Sequence, residues 1–186
     1  MRKPTQVLLA LAVAALVAAP ASAFVDEETG LMVEPPAPFQ AAAGKPRPNY
    51  DIVVTVNSTT GKPTSANADG NLCGVAYKQA PQNAALSQSD INERLTQPQW
   101  MEIIKSPFQA WSTIERTEIF EQDGVKGVEL TVAPKAGPNH EAVRIYLALW
   151  ETPKGRIVVS CAIKVDEMPQ ALVDLQTIRR ATRVRP

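Results

Sequence analysis

The stretch AVRIYLALWE, residues Ala142–Glu151, decides the fold. Side chains of a β-strand alternate between two faces. One face of this stretch would carry the Val, Ile and Leu residues at odd positions from 143 to 149, and the other would carry Tyr146 and Trp150. Apolar residues on both faces are typical of a central strand that is covered on both sides. We therefore predict a sheet in the middle of the domain, with helices packed on both of its faces.

Five further segments predict the other strands of this sheet. They share alternating apolar residues or bounding turn signals, such as the hairpin signal Asp123-Gly124 and the tight-turn sequence Thr152–Gly155. Together with the first stretch, the six predicted strands are Asp51–Asn57, Leu72–Lys78, Thr113–Glu121, Val125–Ala133, Ala142–Glu151 and Arg156–Val165. In Val125–Ala133, the residues Val128, Leu130 and Val132 alternate with Glu129 and Thr131. The turns between consecutive strands indicate antiparallel pairing.

Helix signals surround these strands. Ser87 and Asp90 have the spacing of a capping box, which predicts a helix start. Pro98 predicts the start of a second helix, which Pro107 is expected to end. Pro169 opens a third, amphipathic segment. The predicted fold class is therefore α+β: an antiparallel sheet of about six strands between the first two helices and the third, an α/β/α sandwich.

The N-terminus has the composition of a secretory signal peptide. Basic Arg2 and Lys3 precede an apolar run of thirteen residues, and Ala21-Ser22-Ala23 has the small-x-small form that a signal peptidase accepts. The run is shorter than the ~20 residues of a membrane-spanning helix. We expect residues 1–23 to be cleaved, and the protein to be periplasmic or secreted from a bacterium without a membrane span. Residues 24–48 are expected to form a Pro-rich segment, and residues 49–186 a single domain.

The two cysteines, Cys73 and Cys161, are predicted to lie on inward-facing positions of two strands. In an oxidising compartment an isolated pair favours a disulfide, whereas the alternative is two buried thiols. Export favours the disulfide.

The order of elements, including Pro35-Pro36-Ala37-Pro38-Phe39, a helix near a Trp, an antiparallel meander and a closing helix, resembles the PsbP-like α/β/α sandwich. The resemblance covers residues 31–185 and rests on no sequence motif. It implies an extracytoplasmic accessory or assembly protein, commonly without catalytic residues, and it carries over no functional position.

Several chemistries find no support in the composition. The chain without residues 1–23 has 17 basic and 19 acidic residues, which is not the basic surface that nucleic-acid binding requires. One histidine and two distant cysteines do not form a zinc motif, and we expect no metal and no cofactor. A hydrolase would need His140 as its base, yet no Gly-x-Ser-x-Gly nucleophile motif is present. We therefore assign no catalytic residue and do not expect an enzyme.

Three aromatic residues and one arginine remain as candidates for a ligand or partner surface: Trp100, Arg144, Tyr146 and Trp150. Core packing is the alternative explanation for the aromatic residues. The favoured hypothesis is an exported accessory or binding protein whose partner is an envelope protein or a small ligand. The alternatives are a binder of a small apolar ligand that uses the Trp100/Trp150 region, and a hydrolase that uses His140.

Overall fold

The computed structural model describes residues 22–185, so the predicted signal peptide lies almost wholly outside the described residues and stays a prediction. The described residues form ten strands and three α-helices. The strands are β1 (Phe24–Val25), β2 (Leu31–Val33), β3 (Phe39–Ala43), β4 (Ile52–Ser58), β5 (Cys73–Gln79), β6 (Ser112–Gln122), β7 (Val125–Pro134), β8 (Val143–Glu151), β9 (Gly155–Lys164) and β10 (Thr182–Val184). The helices are α1 (Gln88–Thr96), α2 (Pro98–Gln109) and α3 (Met168–Arg180).

Seven of the strands form one antiparallel sheet in the order β3-β4-β5-β9-β8-β7-β6. The predicted α+β class is confirmed, and all six predicted strands are present. The sheet has one strand more than expected because β3 pairs with β4 along its edge, from Phe39 opposite Ser58 to Ala43 opposite Val54. As its sequence predicted, β8 is covered on both sides: Tyr146 and Leu147 point to opposite faces and are 0% and 5% exposed.

Residues 24–48, for which we predict a Pro-rich segment, contribute the strands β1, β2 and β3. Strands β1, β2 and β10 form a small second sheet, in which β2 pairs with both of the others. Leu31 and Val33 of β2 are fully buried. The prolines interrupt this segment without removing it from the core because its apolar residues are buried against the main sheet.

The helix boundaries follow local signals, with one exception. Ser87 caps α1 through a complete capping box: its Oγ accepts from the Asp90 N–H at 3.1 Å, and Asp90 Oδ2 accepts from the Ser87 N–H at 3.0 Å. Pro98 opens α2 as predicted. The prediction that Pro107 ends α2 is wrong, since the helix continues to Gln109. Just beyond the end of the helix, the Ser112 hydroxyl donates a hydrogen bond to the Phe108 carbonyl of the last turn at 2.8 Å.

The helices lie on opposite faces of the main sheet. On one face, α3 buries Leu175 and Ile178 in the larger hydrophobic core, together with the β8 side chains Tyr146 and Trp150. On the other face, α2 packs on Val128, Leu130, Val132 and Leu147. The backbone of α1 lies nearest to β7, and that of α2 lies nearest to β6. The two helices therefore cover the β6–β8 half of this face, and the half made by β4, β5 and β9 is left without a helix among the described residues.

Candidate functional site

A groove of about 590 Å³ lies where the helices stop and the open half of the sheet begins. Its floor consists of positions of four neighbouring strands that point away from the α3-side core, among them Gly74 and Ala76 of β5 and Val158 and Ser160 of β9. The volume is in the range of small-molecule sites, about 300–1,000 Å³. Its volume exceeds that of a second cavity, about 400 Å³, which is lined by Lys62 and Asp174 among others.

The wall of the groove is formed by α1 and α2. Trp100, Ile103, Phe108 and Trp111 line it along the length of α2 and just beyond its end. Ile103 and Trp111 are 52% and 43% exposed, although both are large apolar side chains. Phe108 packs edge-on against Trp111, with 6.0 Å between the ring centroids. The wall therefore presents an aromatic and aliphatic surface to solvent, which is the usual composition of a ligand site.

The floor is open over β5 because the residues there, Gly74 and Ala76, are small. A Cβ atom added to Gly74 would meet no atom within 4 Å. Gly74 also has no positive φ angle, so its backbone does not require glycine. A side chain at this position would thus project into the groove. Neighbouring β5 residues Cys73 and Val75 point the other way and are fully buried in the core.

Charged side chains stand at the rim. Among the described residues, the groove lining contains four cations and one carboxylate: Arg47, Lys78, Arg94, Arg156 and Glu151. Lys78 pairs with Asp51 at 2.7 Å, and the Arg156 Nε donates to Glu151 Oε1 at 2.8 Å. The Lys78 ammonium is the first cause of the lowered pKa of Asp51. Arg94 lies over the ring of Trp100, 5.4 Å from its centroid.

The structure separates the aromatic residues that we grouped from the sequence. Trp100 lines the groove. Tyr146 and Trp150 lie on the opposite face of the sheet, where they are 0% and 1% exposed in the α3-side core. A single region containing Trp100 and Trp150 therefore does not form, because even-numbered residues of β8 face α3 whereas its odd-numbered residues face the groove.

Arg144 lies outside the groove and is held by a carboxylate. Its Nε donates to Glu115 Oε2 of β6 at 2.8 Å, and one guanidinium nitrogen donates to the Val143 and Glu141 carbonyls at 2.8 and 3.2 Å. The side chain is 20% exposed. These contacts hold Arg144 at the start of β8 and occupy two of its three guanidinium nitrogen atoms.

His140 lies in a short 3₁₀ turn, residues His140–Ala142, before β8. Its Nδ1 lies 3.1 Å from the Gly137 carbonyl oxygen of the same loop. No serine or cysteine of the described chain forms a hydrogen bond with its ring. The geometry therefore offers the hydrolase hypothesis no nucleophile–base pair.

Sequence reasoning missed a buried polar cluster on the α3 side of β7. Alternation placed Glu129 on a polar face, but residues 127–132 of β7 are all buried because both faces of the strand are covered. Glu129 accepts from the Tyr146 hydroxyl at 2.9 Å and from Gln176 of α3 at 2.7 Å. Arg179 Nε lies 3.6 Å from the same carboxylate. Burial raises the pKa of the Tyr146 hydroxyl, and the Glu129 charge raises it further.

The predicted disulfide is confirmed. Cys73 of β5 stands directly opposite Cys161 of β9, with 4.0 Å between the Cα atoms, and the two residues are bonded. Both are fully buried, so neither of the chain's cysteines is a free thiol. Within residues 22–185, no three histidine, cysteine, aspartate or glutamate residues are grouped so as to hold a metal ion. No helix in that range is both long and apolar enough to cross a membrane.

No protein-family model and no curated protein matches this sequence. The chain is similar to the solution structure of cyanobacterial PsbP (CyanoP) from Synechocystis sp. PCC 6803, with a TM-score of 0.56 and 15% sequence identity over 94% of this chain and 99% of that one. It also aligns with a crystal structure from Bacteroides thetaiotaomicron VPI-5482, with a TM-score of 0.39 and 8% identity over 90% of this chain and 50% of that one. Sheet order, helix placement and the similarity to CyanoP together show that the chain has a PsbP-like α/β/α fold.

Proposed function

We propose that the protein is an exported, non-catalytic accessory protein that binds a small apolar ligand in the groove between α2 and the open half of the sheet. The observation that carries this proposal is the combination of an open floor at Gly74 and Ala76 with a solvent-exposed aromatic wall at Trp111. Removing apolar surface from water is favourable by about 25 cal/mol of free energy per Å², so a ligand that covers this wall gains that free energy on binding.

Three further observations support the accessory role and the export. The chain has a PsbP-like fold, and its resemblance to that group of proteins implies an extracytoplasmic accessory protein. The Cys73–Cys161 disulfide is typical of an oxidising compartment. Finally, residues 1–23 have the composition of a signal peptide, and their cleavage would leave Phe24, the first residue of β1, at the N-terminus.

A neutral fluorescent probe tests the groove directly. We expect N-phenyl-1-naphthylamine to bind the disulfide-bonded protein without residues 1–23 in a saturable way and to gain fluorescence. Gly74→Leu should abolish this binding because the new side chain fills the groove floor. Its free energy of unfolding should stay within about 1 kcal/mol of the wild type, since the added Cβ meets no neighbour and a strand glycine is itself unfavourable.

Gly74→Ala is the matched control, because it adds one methyl group at the same place and leaves most of the groove open. It should bind the probe with nearly wild-type affinity. Equal binding to the wild type and to Gly74→Leu would show that the probe occupies another surface. That result, or the lack of saturable binding to the wild type, would contradict the proposal.

A further inference from the structure

The two strands at the centre of the groove floor carry like charges at the same end. The register of β5 and β9 places Lys78 directly opposite Arg156. Both side chains line the groove, and they are 49% and 46% exposed. Like charges directly opposite each other on neighbouring strands are destabilising. An anion bound between them would relieve that repulsion.

The carboxylates nearest to this pair lie on its outer sides. Asp51, just before β4, holds Lys78 from one side, and Glu151 of β8 holds Arg156 from the other. The two cations therefore stand next to each other, and no carboxylate is placed between them by the pairing of β5 with β9. Both side chains line the groove, so an anion bound there would form charge-assisted hydrogen bonds with them.

A third cation comes from the helix side of the groove. Helix α1 begins over the end of β8, where Gln88 Nε2 donates to the Glu151 carbonyl at 3.1 Å. Arg94, further along α1, lines the groove. No carboxylate in the described part of the chain lies within ion-pair distance of the Arg94 guanidinium, which stacks on Trp100. Arg94 thus adds a third cation to the groove lining, and its charge also acts on Asp90, one turn earlier on α1.

From this distribution, and resting on the groove being a ligand site as proposed above, we infer that its ligand is a free fatty carboxylate. The head group binds at the end lined by Lys78, Arg156 and Arg94, and the acyl chain lies along the floor beside α2. The adjacency of Lys78 and Arg156, whose carboxylate partners lie only on their outer sides, favours an anionic head group. The apolar remainder of the groove selects a hydrocarbon chain.

Three ligands that share a dodecyl chain test this inference by isothermal titration calorimetry, each below its micelle concentration. The ligands are dodecanoate, dodecanol and dodecyltrimethylammonium. Dodecanoate should bind about tenfold more tightly than dodecanol, as expected for one or two charge-assisted hydrogen bonds. Raised salt should weaken the binding of dodecanoate only, because exposed charges are screened. The cationic ligand should bind most weakly.

Arg94→Gln should lower the affinity for dodecanoate about fivefold and leave the affinity for dodecanol unchanged. Arg183→Gln is the control, since Arg183 pairs with Glu34 on the small sheet. Retention of N-phenyl-1-naphthylamine binding by Arg94→Gln shows that the groove is intact. If dodecanol binds as tightly as dodecanoate, or if Arg94→Gln affects both equally, the head-group inference is overturned while the apolar groove stands. If none of the ligands or the probe binds, the proposed function fails as well.

Discussion

Glu129 is a buried carboxylate between two guanidinium groups. Its side chain is 4% exposed, and it lies 3.6 Å from Arg179 and 3.8 Å from Arg116. Arg179 is itself 7% exposed and lies over the ring of Phe120, 3.8 Å from its centroid. Its Nε has no hydrogen-bond partner in the described chain. The carboxylate is therefore the main compensation for a buried positive charge, since the desolvation of a charge is costly unless it is paired.

We expect Glu129→Ala to lower the free energy of unfolding by about 3–5 kcal/mol, as measured by urea denaturation, because it leaves Arg179 buried without its partner. The double variant Glu129→Met with Arg179→Met should lose much less, since neither charge is then left alone. Glu118→Gln is the control: Glu118 stands opposite Glu129 on β6, is half exposed, and should change stability by about 0.5 kcal/mol or less. A double variant as unstable as Glu129→Ala would contradict this account.

At the scale of elements, the loop between β4 and β5 is tied to the start of α3. Glu167, directly before α3, accepts from the Thr64 backbone N–H at 2.7 Å, from the Thr64 hydroxyl at 2.8 Å and from Lys62 Nζ at 2.9 Å. These hydrogen bonds, led by the backbone N–H of Thr64, lower the pKa of Glu167 to about 2. One carboxylate thus joins two segments more than one hundred residues apart in sequence.

This contact makes an acid-dependent contribution to stability. Because the pKa of Glu167 is lower in the folded protein than its usual value of 4.5, the ionised form stabilises the fold above about pH 4.5. The contribution is lost as the pH falls from there through about 2. Glu167→Gln should therefore have a lower urea midpoint than the wild type at pH 7, and the difference should shrink progressively below pH 4.5.

The matching control for Glu167→Gln is Glu28→Gln, which alters an exposed carboxylate at the other end of the chain. It should shift the midpoint little at any pH. A difference between Glu167→Gln and the wild type that stays constant from pH 7 to pH 3 would show that the carboxylate charge does not carry the contact.

At the scale of the whole molecule, the disulfide joins the two strands through which the halves of the main sheet meet. Strands β3, β4 and β5 lie on one side of it, and β9, β8, β7 and β6 lie on the other. The bonded cysteines are 88 positions apart, and the segment between them contains α1, α2, β6, β7 and β8. The bond therefore restricts a large part of the chain in the unfolded state.

The double variant Cys73→Ala with Cys161→Ala should have a free energy of unfolding about 4–5 kcal/mol lower than that of the oxidised wild type. The reason is that the disulfide removes the entropy of a loop of this length from the unfolded state. The sheet should persist in far-ultraviolet circular dichroism, because the neighbouring core residues Val75 and Val159 remain buried. A reductant should lower the midpoint of the wild type and leave that of the variant unchanged. Equal midpoints for the oxidised and the reduced wild type would refute the stabilising role.

Much of the fold could be predicted because its signals are local. The two-sided apolar pattern of β8, the Asp123-Gly124 turn and the capping box of Ser87 each involve residues within about ten positions, so the sequence contains the whole cause. Both residues of that turn have positive φ angles, as the hairpin requires. The inward positions of Cys73 and Cys161 followed from strand alternation alone, and the predicted pairing needed only that β5 and β9 be neighbours.

The candidate site could not be predicted in the same way because its causes are not local. The groove exists because α1 and α2 cover only half of one sheet face, and helix placement depends on tertiary packing. The same packing decided that Trp150 is core while Trp100 lines the groove, and that Glu129 meets Arg179 across the interface between β7 and α3. The sequence by itself determined six strands of the main sheet, the helices and the inward positions of the two cysteines. Only the tertiary structure decided which faces are covered, because burial is a property of neighbours that lie far apart along the chain.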